Sequence, residues 1–332
     1  MQLKEVLERT HIVSIPTKTN FRGVKFREIA LIEGDTNWGE FSPFLEYEPQ
    51  GAMSWLKSAI ESAKTPFQSN GIDLVPVNAT LPAVPIQQVA EVLSWFPGCN
   101  TVKIKVGTKD DLARIREVFR INAAAQVRLD ANGLWSVAEA KEILESLYSE
   151  FGSSLDYVEQ PCQTLAENKK LKKEISFPLK IAIDENLRKS GNLNEILEVA
   201  DLLIIKVAPL GGVSACLQLI EKVDIPVVVS SALESSIGIS AGVSLATQLL
   251  SRNEPLVPFG LGTVALLEGD VVSNPLLPMN GKIKVEKANV DLEKLKKYSV
   301  TDSRKKWWHE RITSIYKLAR YESKLRFSRS YS

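Results

Sequence analysis

Five stretches decide the fold: TVKIKVG at residues 101–107, AQVRLDAN at 125–132, LDYVEQP at 155–161, LKIAIDEN at 179–186 and DLLIIKVA at 201–208. Each is a short β-rich run. Between them lie amphipathic stretches with helical apolar spacing, such as Ser136 to Tyr148. Working outward, VPVNATL (75–81) comes before them, and IPVVVSSA (225–232) and LVPFGLG (256–262) come after, with the amphipathic Ser214 to Val223 between. That makes eight runs. Strand–helix alternation at this spacing predicts an α/β fold of parallel strands with crossover helices. Eight units point to a closed TIM-like barrel. An open doubly wound sheet would be the competing arrangement, but no GxGxxG follows the first strand.

Parallel barrel strands are buried on both faces and should read almost wholly apolar. These five carry charges instead: Lys103 and Lys105, Asp130, Glu159, Asp184, and Lys206. Each lies toward the C-terminal end of its run, where barrel enzymes keep their active sites. Asp130 to Glu159 is 29 residues, Glu159 to Asp184 is 25 and Asp184 to Lys206 is 22, about one β/α unit each. One carboxylate from each of three successive strands would repel the others in a low dielectric. A hard cation removes that problem, and all-oxygen ligation without His or Cys points to Mg²⁺ over Zn²⁺, with Mn²⁺ as a substitute.

Lys103 and Lys105 are two apart and share one side of their strand. Lys206 falls roughly across the barrel. A buried lysine near other cations has a lowered pKa and can act as a base. The array suits removal of the proton next to a carboxylate, with positive charge supporting the enediolate. Arg128 shares the parity of Asp130, so it also faces inward. It is expected to touch substrate or to neutralise the acidic cluster.

Composition narrows the rest. The chain has 332 residues and a formal net charge of +1, which favours neither nucleic acid nor an anionic membrane. Cys99, Cys162 and Cys216 lie far apart without CxxC spacing, which fits a reducing cytoplasm and no disulfide framework. The start MQLKEVLERT has no apolar signal core, and no apolar run is long enough to span a bilayer. With only His11 and His309, a His-based triad or cluster is nearly excluded. A cytoplasmic enzyme acting on a small carboxylate is expected. A monomer is compatible with the sequence.

The ends read differently. Residues 1–75 are mixed, with a strand at Phe26 to Ile32, turn chemistry at Glu33-Gly34-Asp35 and a helix over Gly51 to Lys64. Residues 76–264 form the barrel. Residues 265–332 lose the alternation and end in KKWWHERITSIYKLARYESKLRF, whose aromatics at helical spacing predict an amphipathic helix packed back on the N-terminal segment. An RNA- or membrane-binding tail is the alternative, and RNA binding predicts salt-sensitive RNA affinity.

The array resembles the enolase superfamily, whose members use a Lys or His base with Mg²⁺. The resemblance covers nearly the whole chain. Trp38-Gly39-Glu40-Phe41-Ser42-Pro43 looks like its capping-domain motif, and Lys103-Ile104-Lys105 like the Lys-X-Lys element of the muconate-lactonizing subgroup. Asp130, Glu159 and Asp184 match the metal ligands, and Lys206 the opposite lysine. The implied fold is a modified (β/α)7β barrel with an α+β capping domain built from the N-terminal segment and the C-terminal tail. Within the subgroup, FRGVKFREIALIEG, WGEFSPF, VRLDANGLW, DYVEQPC and VVVSSALESSIG resemble the o-succinylbenzoate synthase family.

That resemblance implies a syn elimination of water in menaquinone biosynthesis, driven by aromatisation. Lys105 would be base and then acid, Lys103 its companion, and Lys206 a cation held against the ring. Ser231, the Leu233 backbone and Gly260 match substrate-contacting positions. A loop at Ile15 to Arg22 and the segment Phe41 to Tyr47 would close over the site. N-acylamino acid racemase, dipeptide epimerase and muconate cycloisomerase share the same lysines and metal. A dipeptide epimerase would be expected to carry an Asp-X-Asp on the eighth strand, where PFGLGTV has no acid. A non-catalytic barrel would be expected to have lost a ligand or a lysine, and none is lost.

Overall fold

A computed structural model describes residues 1–189, 192–251 and 257–329. The chain opens with an antiparallel sheet of β1 (Thr10–Phe21), β2 (Val24–Glu33) and β3 (Trp38–Phe41), in that order. Ile15 to Arg22 is therefore mostly strand, where the sequence suggested a loop. Phe21 pairs with Val24 across a two-residue turn in which Arg22 and Gly23 both have positive φ, 54° and 79°. That is the backbone twist a tight hairpin requires.

Helix Pro49–Lys64 packs on β3, beginning with a proline that needs no N–H partner. Gly39 makes this packing possible: a Cβ there would run into the Ala59 backbone carbonyl. Thus the glycine of the WGEF string serves the docking of helix on sheet.

β4 (Leu74–Pro76) leads into the barrel strands β5 (Ala79–Leu81), β6 (Thr101–Lys105), β7 (Gln126–Asp130), β8 (Leu155–Glu159), β9 (Lys180–Ile183), β10 (Leu202–Lys206) and β11 (Val227–Ser230). The last seven form one parallel sheet in sequence order, with helices in the crossovers. The eighth run does not form a strand. Val77 bridges Phe259 and Ser230 bridges Gly260, so two single-residue bridges close the ring. Pro258 lacks an N–H for a ladder, and Gly260 and Gly262 weaken strand character. The first residue of that run, Leu256, lies outside the described residues. β12 (Lys282–Lys284) returns to pair antiparallel with β4.

The C-terminal helix Asp302–Arg329 lies on the N-terminal segment, as the aromatic spacing predicts. Residues 330–332 of the tail lie outside the described residues. Trp308, Ile312 and Ile315 fall on one helical stripe and are fully buried with Val6, Ile12, Phe41 and Trp55. Trp308 stacks edge-on against Phe41 at 5.8 Å, and its indole N–H donates to Glu28 Oε2 at 2.7 Å. Trp308 is thus core of the cap, with Trp307 and Tyr316 partly buried against it and Tyr321 exposed. The barrel has a separate apolar core that includes Ile104, Leu129, Val158, Ile181 and Ile205. Among the described residues, no helix is long and apolar enough to cross a membrane.

Candidate active site

Strand register sets the height of each charged side chain in the barrel. Lys105 lies beside Asp130 and Asp130 beside Glu159, while Lys206 lies beside Ser230 and Ser230 bridges Gly260. Asp184 follows Ile183, the last residue of β9. Lys105, Asp130 and Glu159 thus share one level, Asp184 stands two residues beyond Ala182, the register partner of Glu159, and Lys206 shares a level with Ser230 and Gly260; all are at the C-terminal rim. The apolar residues between them, such as Ile104 and Leu129, point outward to the helices.

The contacts are short. Lys105 Nζ donates to Asp130 Oδ2 at 2.6 Å and to Asn132 Oδ1 at 2.7 Å. Lys103 Nζ sits 2.8 Å from Asp130 Oδ2 and 2.6 Å from Glu159 Oε2. Lys206 Nζ donates to Asp184 Oδ2 at 2.6 Å. Asp130, Glu159 and Asp184 are buried. Among the described residues no three His, Cys, Asp or Glu side chains stand ready as a metal cage. Each carboxylate is instead drawn toward an ammonium group, which answers its charge.

Two of these carboxylates, Asp130 and Glu159, keep spare capacity. Asp130 Oδ1 and Glu159 Oε1 are buried without a hydrogen-bond partner, and the Lys103 approach to Glu159 Oε2 is an ion contact rather than a directed hydrogen bond. Orphaned buried carboxylate oxygens are costly unless something cationic takes them up. Oxygen-only donors from adjacent strands fit a hard divalent ion.

Electrostatics separate the three lysines. Burial lowers the Lys105 pKa, and Lys103 and Lys206 add to this while Asp130 only partly offsets it. For Lys103, burial is outweighed by Asp130 and Glu159, so its ammonium is held well above the usual range. For Lys206, burial is outweighed mainly by Asp184, which again raises it. Burial opposes ionisation of Asp130, but Lys103, Lys105 and Lys206 overcome it and hold the carboxyl well below the usual range. Burial, reinforced by Asp130, pushes Glu159 up to about 7.

Lys103, Lys105, Lys206 and Asp130 line a narrow cavity of about 30 Å³. Ser231 and Gly260 line it as well, and Ser231 Oγ donates to the Gly260 carbonyl at 2.6 Å. Leu233 is set back from it. Its side chain is buried, its φ is 63° and its carbonyl accepts from Arg27, while Ala232 next to it forms the wall.

Arg128 faces inward as its parity demands, but it does not reach this cavity. Its guanidinium turns toward the other end of the barrel. It donates to Asp156 Oδ2 at 2.8 Å, Asn78 Oδ1 at 3.1 Å and the Pro258 carbonyl at 2.6 Å, and lies 4.8 Å from the Tyr157 ring centroid. It lines a different cavity of about 450 Å³ that holds none of the rim lysines. Neutralising the acidic cluster at the rim is not what this geometry does either.

Sequence reasoning missed Asn132, which accepts from Lys105, and Thr80, which sits beside Lys103 in register. The parity of VNATL would have placed Thr80 inside. Phe21, Arg22 and Phe44 come from the cap and also line the cavity. The expected lid segments therefore do reach the rim.

Comparison with known proteins agrees with this architecture. Residues 87–289 match the family model described as Enolase C-terminal domain-like, and residues 12–63 match Enolase N-terminal domain-like. The o-succinylbenzoate synthase of Mycolicibacterium smegmatis is 41% identical over 323 residues, covering 95% of this chain and 98% of that protein. That of Mycobacterium leprae is 40% identical, covering 95% and 94%. Among solved structures, muconate lactonizing enzyme from Pseudomonas fluorescens superposes with a TM-score of 0.71 at 22% identity, covering 88% of this chain and 98% of that one. A probable mandelate racemase from Alicyclobacillus acidocaldarius gives 0.66 at 20% identity, covering 88% and 95%. These structural likenesses concern the fold alone. The chain belongs to the enolase superfamily and, within it, to the o-succinylbenzoate synthase family of lyases.

Proposed function

We propose that the protein catalyses the syn dehydration of 2-succinyl-6-hydroxy-2,4-cyclohexadiene-1-carboxylate to 2-succinylbenzoate, a step of menaquinone biosynthesis in the cytoplasm. The observation that carries the reading is near full-length identity of 41% to o-succinylbenzoate synthase, joined to an intact set of rim lysines and carboxylates. Asp130, Glu159 and Asp184 would hold Mg²⁺, with Mn²⁺ as a substitute. When bound, the ion supplies fixed positive charge beside the substrate carboxylate, where negative charge builds as the proton leaves.

The chain's own residues do the rest. Lys105 Nζ takes the proton from the ring carbon that bears the carboxylate, and the electron pair moves toward that carboxylate. The same Nζ then returns the proton to the departing hydroxyl, so that water leaves and the ring becomes aromatic. One group serving as base and acid on one face fits a syn elimination. Lys103 stays charged beside the carboxylate, and Lys206 stays cationic against the ring. Ser231, the Leu233 segment and Gly260 shape the far wall. Phe21, Arg22 and Phe44 close the mouth against water.

The test is direct. The purified protein is incubated with the cyclohexadiene substrate at saturating Mg²⁺, and the aromatic product is followed by its ultraviolet absorbance. Steady growth of the aromatic band supports the reading. Substrate left intact at full metal saturation would overturn it.

A further inference from the structure

Two buried charges of the cap converge on one short segment of the barrel. Arg27, on β2, is 2% exposed. Its Nε donates to the Leu233 carbonyl at 2.9 Å, and its Nη2 donates to the Ser42 carbonyl and, at 3.4 Å, toward that of Ala232. Its guanidinium also lies 4.5 Å from the Phe44 ring centroid, and Phe44 lines the lysine cavity. Glu40, on β3, pairs in register with Leu31, which shares the parity of Arg27, and it reaches the same segment from the same face of the cap sheet. Its Oε2 accepts from Ser235 Oγ at 2.5 Å, Ser235 N at 3.2 Å and Gly238 N at 3.0 Å, while Oε1 accepts from Ser42 Oγ at 2.7 Å. A Cβ at Gly238 would collide with the Glu234 side chain and press on the Glu40 carboxyl. The first turn of helix Ser236–Ser251 is therefore capped by a carboxylate from another part of the molecule.

Between the two charges stands Leu233 in a left-handed conformation, φ 63°, which a branched residue keeps only when its surroundings hold it there. Apolar contacts such as Trp308 on Phe41 also pack the cap. A buried charged pair adds little net stability to such packing, but its directed hydrogen bonds fix geometry. We propose that Arg27 and Glu40 are positioning residues for the substrate site: they clamp Ala232 to Ser235 and set the cavity wall that includes Ala232 and Phe44. The proposal rests on reading that cavity as the substrate site.

The experiment compares wild type, Arg27→Met and Glu40→Gln in the Mg²⁺-loaded, full-length protein. The Ser235 and Gly238 N–H groups can only donate, whereas the Ser42 and Ser235 hydroxyls can turn to accept, so glutamine keeps the shape of the cap but removes its negative charge and leaves one acceptor oxygen where there were two. Amide hydrogen exchange is read at 232–238 and, as a reference, over helix Pro49–Lys64. Steady-state constants are measured on the cyclohexadiene substrate. The Ser235 and Gly238 amides should exchange about tenfold faster or more in Glu40→Gln, with the reference helix unchanged. In both variants KM should rise about tenfold while kcat stays within about threefold, and the Mg²⁺ concentration for half-maximal activity should not move. Should Arg27→Met fail to fold, Arg27→Lys serves, because one ammonium cannot span the Leu233 and Ser42 carbonyls and the KM rise should persist. Unchanged exchange at 232–238, or a fall in melting temperature with KM unaltered, would overturn the clamp. If wild type turns over no substrate, the functional reading fails, and the exchange data still decide the clamp.

Discussion

Lys105 Nζ stands 2.6 Å from Asp130 Oδ2, so the proposed base and a proposed metal ligand touch through a single oxygen. The two proposed roles are separable by mutation, since one group would move a proton and the other would hold charge in place.

Lys105→Ala should lower turnover by about 10³-fold, within the range general acid–base catalysis supplies. Stabilisation by Mg²⁺ in a thermal melt should persist, because no proposed metal ligand is removed. Turnover near that of wild type would show that another group takes the proton.

Asp130→Asn should raise the Mg²⁺ concentration needed for half-maximal activity by about tenfold or more, through loss of an anionic oxygen donor. The variant also releases Lys103 and Lys105 from a shared partner, so kcat should fall as well. A metal titration that overlays wild type would remove Asp130 from the ligand set.

Arg128→Ala should act on stability more than on chemistry. The guanidinium holds Asp156, Asn78 and the Pro258 carbonyl, so the variant loses a buried cation that ties β7, β8 and the closing run together. Asp156 is partly exposed, so a loss of about 2–3 kcal/mol is expected, below that for a fully buried pair. Chemical denaturation would measure it. At a temperature where both proteins are folded, kcat/KM should stay within a few-fold of wild type, and a hundredfold fall would return Arg128 to the substrate site.

Arg128 also shows where sequence reading stops. Charges on strands that ought to be apolar make Lys103, Lys105, Asp130, Glu159, Asp184 and Lys206 visible, and their place toward the C-terminal ends of their runs, about one β/α unit apart, points to one rim. Parity then told which side Arg128 faces, but not which end of the barrel it serves. Two residues of strand are about 6.6 Å of height, enough to move a long side chain from one mouth toward the other. Phe21, Arg22, Arg27, Glu40 and Phe44 were less legible as individual contacts. They reach the barrel through the hairpin turn at Arg22 and Gly23 and the docking of the cap, relationships with no local period in the chain.

Glu40 gives a pH dependence of stability. Burial, with Glu234 nearby, pushes its carboxyl from the ordinary 4.5 up to about 7, although Ser235, Ser42 and Arg27 pull the other way. The folded protein thus binds this proton more tightly than the unfolded chain. Its contribution is fully present below about 4.5 and is lost as pH rises through about 7. Glu40→Gln should flatten this part of the profile, on the order of a few kcal/mol between pH 4.5 and 8. Equilibrium unfolding across that interval reads it, and parallel profiles for the two proteins would rule Glu40 out as the source.

Trp308→Ala should destabilise the protein by about 3–5 kcal/mol, as expected for a large aromatic removed from a closed core. The variant also leaves Glu28 with one donor fewer, Arg304 remaining at 2.7 Å. A loss under 1 kcal/mol in a denaturant titration would mean that the C-terminal helix does not hold the cap in solution.

The most direct check on the central claim is anomalous diffraction from crystals of the protein equilibrated with Mn²⁺. One strong peak bounded by the carboxylates of Asp130, Glu159 and Asp184, with Lys105 and Lys206 on either side of it, is the predicted result. A saturated crystal with its only peaks elsewhere would contradict the account.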